Sequence, residues 1–151
     1  MVLVARLPEL NDVQHWTLPS DGAHGIDIDH RAAAHDMTEH LLGLGHQRIG
    51  FIGGPADVST AVQRESGFRS AMSAAGLQPT LVARGDFTYT GGFEAATRLL
   101  SKEPPTAIFA ANDQMALGAL NAALTAGVHV PDDLPWLVSV TPAPPSTRGR
   151  R

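Results

Sequence analysis

Cysteine is absent from all 151 residues. That removes disulfide frames, thiolate nucleophiles and thiolate metal ligands together, and it fits a reducing compartment. Long apolar runs are also missing: no stretch approaches the roughly 20 apolar residues that a membrane helix needs. The opening M-V-L-V-A-R is too short an apolar run for a signal peptide. A soluble cytoplasmic protein with no membrane partner is expected. Positive charge is not in excess, since 11 Lys and Arg stand against 15 Asp and Glu for a net charge of -4. Phosphate backbones are held by basic surfaces, so any DNA contact has to come from outside this chain.

Several chemistries lack their residues. The corner after Ile52 has Gly53 and Gly54 but runs into Pro55, with no G-K-[ST] to follow, so no nucleotide cradle and no cofactor are expected. No G-x-S-x-G elbow is present and no nucleophile has an assignable base, so the chain is not expected to be an enzyme. The seven histidines include His30, His35 and His40, whose five-residue spacing scatters them around a helix. Asp36 and His40 share a face at i, i+4, but a third ligand is wanting, and no metal site is expected.

What is present is a repeated pattern. With 43% hydrophobic residues the chain can bury one core, and its length favours one domain. Residues 106–120 read T-A-I-F-A-A-N-D-Q-M-A-L-G-A-L: a short buried strand, a polar corner at Asn112 and Asp113, then a helix. On a structural reading Asp113 caps that helix and Asn112 tolerates a left-handed corner. On a functional reading both face a ligand. The spacing is compatible with either.

The same unit recurs upstream. Residues 2–5 read as a strand and 6–25 as a long loop or crossover, followed by a brief extended piece at 26–28. Asp29 is placed to cap a helix reaching Leu44, with Ala34, Met37, Leu41 and Leu44 inward and Gly45 at its end. A strand at 48–52 then leads through the glycine corner to a helix over 59–75, with Phe68, Met72 and Ala75 inward and Gly76 closing it. A strand at 81–83 leaves through Gly85, Asp86 and Phe87, and Thr90 is placed as the cap of the next helix, which contains Phe93, Ala96 and Leu100. Pro104 and Pro105 stop that helix, the strand from Ala107 follows, and a helix over 114–126 ends at Gly127. A last strand is expected at 136–140. The remainder, 141–151, has no apolar period and is expected to be disordered.

Alternating strands and helices imply an α/β fold, a Rossmann-like parallel sheet with helices on both faces. In such a sheet every strand leaves on the same edge, so the corners 53–59, 86–90 and 112–113 line one rim. That rim carries Asp57, Asp86, Asp113, Ser59, Thr60, Thr88, Thr90, Asn112 and the ring of Phe87. Carboxylates, hydroxyls, an amide and a flat ring are the mixture that a polyhydroxylated ligand uses. Each of these residues singly also suits a helix cap or a loop.

Three segments carry a family resemblance: A-N-D-Q-M-A-L-G-A (111–119), G-L-G-H-Q-R-I-G-F-I-G-G-P (43–55) and G-D-F-T-Y-T-G-G-F-E-A (85–95). Together they resemble the effector-binding domain of LacI/GalR-type transcriptional regulators, over roughly residues 1–134. The resemblance implies the second lobe of a periplasmic-binding-protein-like type I fold. Residues 1–25 would be a remnant of the first lobe, 26–140 the effector-binding lobe and 141–151 a tail, with the chain truncated at both ends. It further implies a small-molecule effector, usually a sugar, and operator DNA held by a helix-turn-helix that this chain lacks. In the full-length form a homodimer is implied. Asn112 and Asp113 match ligand-cleft positions, and Phe87 matches a position where an aromatic stacks on the sugar.

There are departures. The family pattern S-T-A-R-x-R-x-x-G-F reads Ser59-Thr60-Ala61-Val62-Gln63-Arg64-Glu65-Ser66-Gly67-Phe68 here. A sugar-gripping arginine would thus be replaced by Val62, leaving Arg64 as the remaining one. Ala5 stands where many members have aspartate, and no G-[FY]-D-D follows Leu134. The competing expectation is a stand-alone small-molecule or sugar-binding module of the same fold, which a signal sequence would favour.

Overall fold

The computed structural model describes residues 15–17, 24–26, 28–101, 103–129 and 137–139. Two strands, β1 (His15–Thr17) and β2 (His24–Ile26), pair antiparallel. Apart from Ile26, expected to be extended, they lie in the segment expected to be a loop, because three-residue strands are too short to show an alternation. The strand expected at 2–5 and the tail at 141–151 fall outside the described residues. Then come α1 (His30–Gly43), β3 (Ile49–Gly53), α2 (Ser59–Ala74), β4 (Val82–Arg84), α3 (Tyr89–Leu100), β5 (Ala107–Ala110), α4 (Asp113–Thr125) and β6 (Leu137–Ser139). β3 to β6 form one parallel sheet in the order β4-β3-β5-β6.

Strand residues alternate between the two faces of this sheet and so recruit different helices. Phe51 of β3 stacks on Phe68 of α2 at a centroid distance of 4.8 Å. Its neighbour Gly50 lies beneath Leu99 of α3, whose Cδ1 would be 3.1 Å from a Cβ at that position. Hence α2 and α3 cover opposite faces, α1 packing beside α2 and α4 beside α3. Phe109 of β5 closes an aromatic cluster at 5.1 Å from Phe51 and 6.5 Å from Phe68, both edge-on, geometries that suit the ring quadrupole. All four residues of β5 and all five of β3 are buried, as befits central strands covered on both sides.

Three helices stop in one way. Gly45, Gly76 and Gly127 have φ of 94°, 73° and 77°. The amide beyond each glycine reaches back to the carbonyl five residues earlier: His46 to Leu41, Leu77 to Met72 and Val128 to Ala123. This closure needs a left-handed residue, and glycine takes that conformation without a Cβ clash. The inward residues differ in detail from the sequence expectation. Leu44 is exposed and Ala75 is exposed, while Ala71 and Leu99 are buried, because each helix ends or rotates before those outlying positions reach the core.

Candidate functional site

Parallel register brings the strand ends together. Gly53 pairs with Arg84 and Ile52 with Ala110. The ladder continues one residue further through Gly85 N–H to Gly53 C=O at 2.7 Å and Ala111 N–H to Ile52 C=O at 2.9 Å. The three corners therefore emerge side by side. Between them lies an open depression of about 430 Å³ lined by Thr60, Arg64, Phe87, Asn112, Asp113 and Gln114.

Arg64 comes from the second turn of α2 and is buried. Helical side chains lean toward the N-terminus of their helix, which at α2 is the rim. Its Nη1 donates to the buried carbonyl of Ala111. Nη2 and Nε lie 3.2 and 3.4 Å from Nδ1 of His30, the first residue of α1. Burial pulls the Arg64 pKa below the ordinary arginine value, and the carboxylate of Asp113 pulls it back up. A buried cation thus faces one nearby anion across the depression.

Asn112 joins two corners. Its Oδ1 accepts from the Met115 amide at 3.0 Å, capping α4, and its Nδ2 donates to the Phe87 carbonyl at 2.9 Å. Asn112 itself is extended, with φ of -150°; the left-handed residue is Phe87, at φ of 68°. Bulky residues seldom hold that conformation, and the Asn112 bond is one of the restraints that keeps it. The Phe87 ring lies against Gly54, where any Cβ would run into Cζ and Cε1. Asp86 turns away to its own loop. Its Oδ1 accepts from the Thr88 hydroxyl at 2.6 Å and the Thr88 amide at 2.9 Å, and the hydroxyl bond foremost lowers its pKa. Thr88, not Thr90, then caps α3 by accepting from Gly91 N–H at 3.0 Å.

The match of the periplasmic binding protein-like domain spans residues 38–148. The chain belongs to the periplasmic-binding-protein-like family, in the form carried by LacI-type regulators. The HTH-type transcriptional regulator CelR of Thermobifida fusca is 40% identical over 120 residues, which are 78% of this chain and 35% of that one. The structure of the Escherichia coli transcriptional repressor ascG superposes with a TM-score of 0.74 and 30% identity, over 82% of this chain and 46% of that one. A CelR–cellobiose complex superposes at 0.69 with 42% identity, over 74% and 35%. This chain spans about a third of the length of the curated relatives it matches. CelR and the Escherichia coli repressor CytR, 42% identical over 112 residues, are named as HTH-type transcriptional regulators.

Within this LacI-type lobe, four of the seven expected site residues, Arg64, Phe87, Asn112 and Asp113, line one depression. The other three do not. Asp57 and Ser59 are exposed on the approach to α2, where the Ser59 hydroxyl accepts from Gln63 at 3.1 Å, and Asp86 serves Thr88. Val62 is 48% exposed and off the lining. Of the two positions only 64 turns toward the depression, since two residues along a helix is a rotation of about 200°. Gln114 and His30 were missed. His30 follows the helix cap Asp29, and a cap opening a helix is the signal that could have found it. No helix among the described residues is long and apolar enough to cross a membrane.

Proposed function

We propose that the rim of this lobe binds a neutral, polyhydroxylated small molecule, a sugar or related compound. The chain would thereby act as the effector-binding part of a LacI-type transcriptional regulator. The observation that carries the reading is the buried guanidinium of Arg64 aimed at a rim depression beside Asp113, Asn112, Gln114, Thr60 and the Phe87 ring. One cation and one anion favour a ligand without net charge. The amide and hydroxyl groups suit vicinal hydroxyls, and the ring offers an apolar face.

An open depression on one lobe is half of a cleft, and a second lobe would close over the ligand. That closure would bias the operator affinity of a helix-turn-helix lying outside this chain, in the cytoplasm. The similarity to HTH-type regulators and the cellobiose complex of CelR support this assignment. A homodimer is part of it: Leu117 and Leu124 leave 47% and 55% of their surface exposed on α4, and an apolar helix face of this kind suits a second copy.

The test is a chemical-shift titration of the 151-residue chain with mono- and disaccharides and nucleosides, a method that registers weak binding. At least one compound is expected to shift the amides of Phe87, Asn112 and Gln114 saturably, and Arg64→Met is expected to abolish the shifts. Binding that shifts other residues, or that survives Arg64→Met unchanged, removes the rim from consideration.

A further inference from the structure

A guanidinium has donors only, so whatever Arg64 touches must accept. The Ala111 carbonyl does. The other partner is Nδ1 of His30, 3.2 Å from Nη2 and 3.4 Å from Nε. Nδ1 accepts only while it carries a lone pair, which fixes the neutral ring with its proton on Nε2. After these contacts one N–H on each terminal nitrogen of Arg64 is left by count to face the depression. His30 thus stands behind the guanidinium, away from the ligand, and determines which edge of it points forward.

We propose that His30 is a positioning residue for the ligand site: its neutral imidazole holds Arg64 in the ligand-gripping orientation, and protonation of the ring releases it. Imidazolium puts a proton on Nδ1, removes the acceptor and sets two cations face to face. Arg64 then turns toward Asp113, whose carboxylate already acts on it, and blocks the depression it had served. Of the charged groups near this pair, Arg64 of α2 lies against the ring, Asp113 at the start of α4 acts on Arg64, and Asp29, the N-cap of α1, has its carboxylate engaged by the Ala32 amide. The consequence for affinity rests on the ligand reading given above; the consequence for Arg64 does not.

The experiment follows the ring nitrogens of His30 and the Nε–H signal of Arg64 in the ¹⁵N-labelled 151-residue chain, between about pH 8 and about pH 5, the span over which imidazole titrates. Nδ1 is expected bare at the upper end with a sharp Arg64 signal, and both are expected to change with one midpoint on acidification. His30→Asn, whose amide oxygen accepts but does not titrate, is expected to keep the Arg64 signal throughout, and His30→Ala to lose it throughout. An Arg64 signal indifferent to His30→Ala, or Nδ1 protonated at the upper end, overturns the proposal. Cellobiose is then added as the probe. Its affinity is expected to fall at least about tenfold on acidification in the wild type, the scale of one charge-assisted hydrogen bond, and to stay level in His30→Asn. Equal affinity of wild type and His30→Ala also overturns the proposal. If Arg64 follows His30 and cellobiose moves no rim signal, the positioning role stands, and the sugar reading of the site is what fails.

Discussion

Replacing Asn112 separates two duties that one side chain performs. Asn112→Ala removes the cap of α4, which by itself costs about 0.5 to 2 kcal/mol, and the bond from Nδ2 to the Phe87 carbonyl, worth about 0.5 to 1.5 kcal/mol. The sum is about 1 to 3.5 kcal/mol, which lowers the melting temperature by about 2 to 14 °C for a chain of this size. Asn112→Asp keeps the oxygen that accepts from Met115 and adds a negative charge at a helix N-terminus, where it is favourable. It cannot donate to Phe87, and it sets a carboxylate against that carbonyl. The aspartate variant should therefore melt within about 0.5 kcal/mol of the wild type while the left-handed turn at Phe87 loosens. Urea denaturation of the three chains measures the first quantity, and amide exchange at Met115 and Thr88 measures the second. Exchange should quicken at both amides in Asn112→Ala but only at Thr88 in Asn112→Asp. If Asn112→Asp destabilises as much as Asn112→Ala, the cap is not what Asn112 contributes and the accounting above is wrong.

Other outcomes follow from the same geometry. Val62→Arg should leave ligand binding unchanged, because position 62 faces solvent, whereas Arg64→Met should remove binding; a gain of affinity in Val62→Arg would return the grip to that position. Gly54→Ala drives the Phe87 ring from its seat, and its stability in urea should fall by about 1 to 3 kcal/mol, the usual cost of overpacking. Asp86 has its folded pKa depressed, chiefly by the Thr88 hydroxyl. Its stabilisation is therefore present above the ordinary aspartate pKa and is lost as pH falls through the depressed value. A ¹³C titration of the carboxyl should show a low midpoint that rises in Thr88→Val. The chain alone, at net charge -4, should not retard duplex DNA at physiological salt; saturable, sequence-selective retardation would contradict this.

The order of elements was legible because each signal is local. Apolar runs such as 107–110, the helix-closing glycines 45, 76 and 127, and the cap at Asp29 act within a few residues of themselves. Period and turn chemistry are properties of neighbouring positions, so the chain by itself determined a parallel α/β sheet and the corners on its rim. The hairpin of β1 and β2 escaped because strands of three residues carry no period. The identity of the left-handed corner residue escaped as well. Asn tolerates that conformation best, yet Phe87 adopts it, because the Asn112 amide from another corner 25 residues away holds its carbonyl.

Which rim residues share the depression was a tertiary decision. Asp57, Ser59 and Asp86 have the right chemistry and the right place in sequence, but side-chain direction sends them to solvent or to their own loops. Arg64 and Val62 differ by two positions on one helix, and only packing of α2 against α1 and the sheet shows which of them turns inward. His30 meets Arg64 across 34 residues. A sequence names donors and acceptors along a line. Their pairing depends on helix rotation and on the separation of strands in the sheet, and those are fixed only when the core closes around Phe51, Phe68 and Phe109.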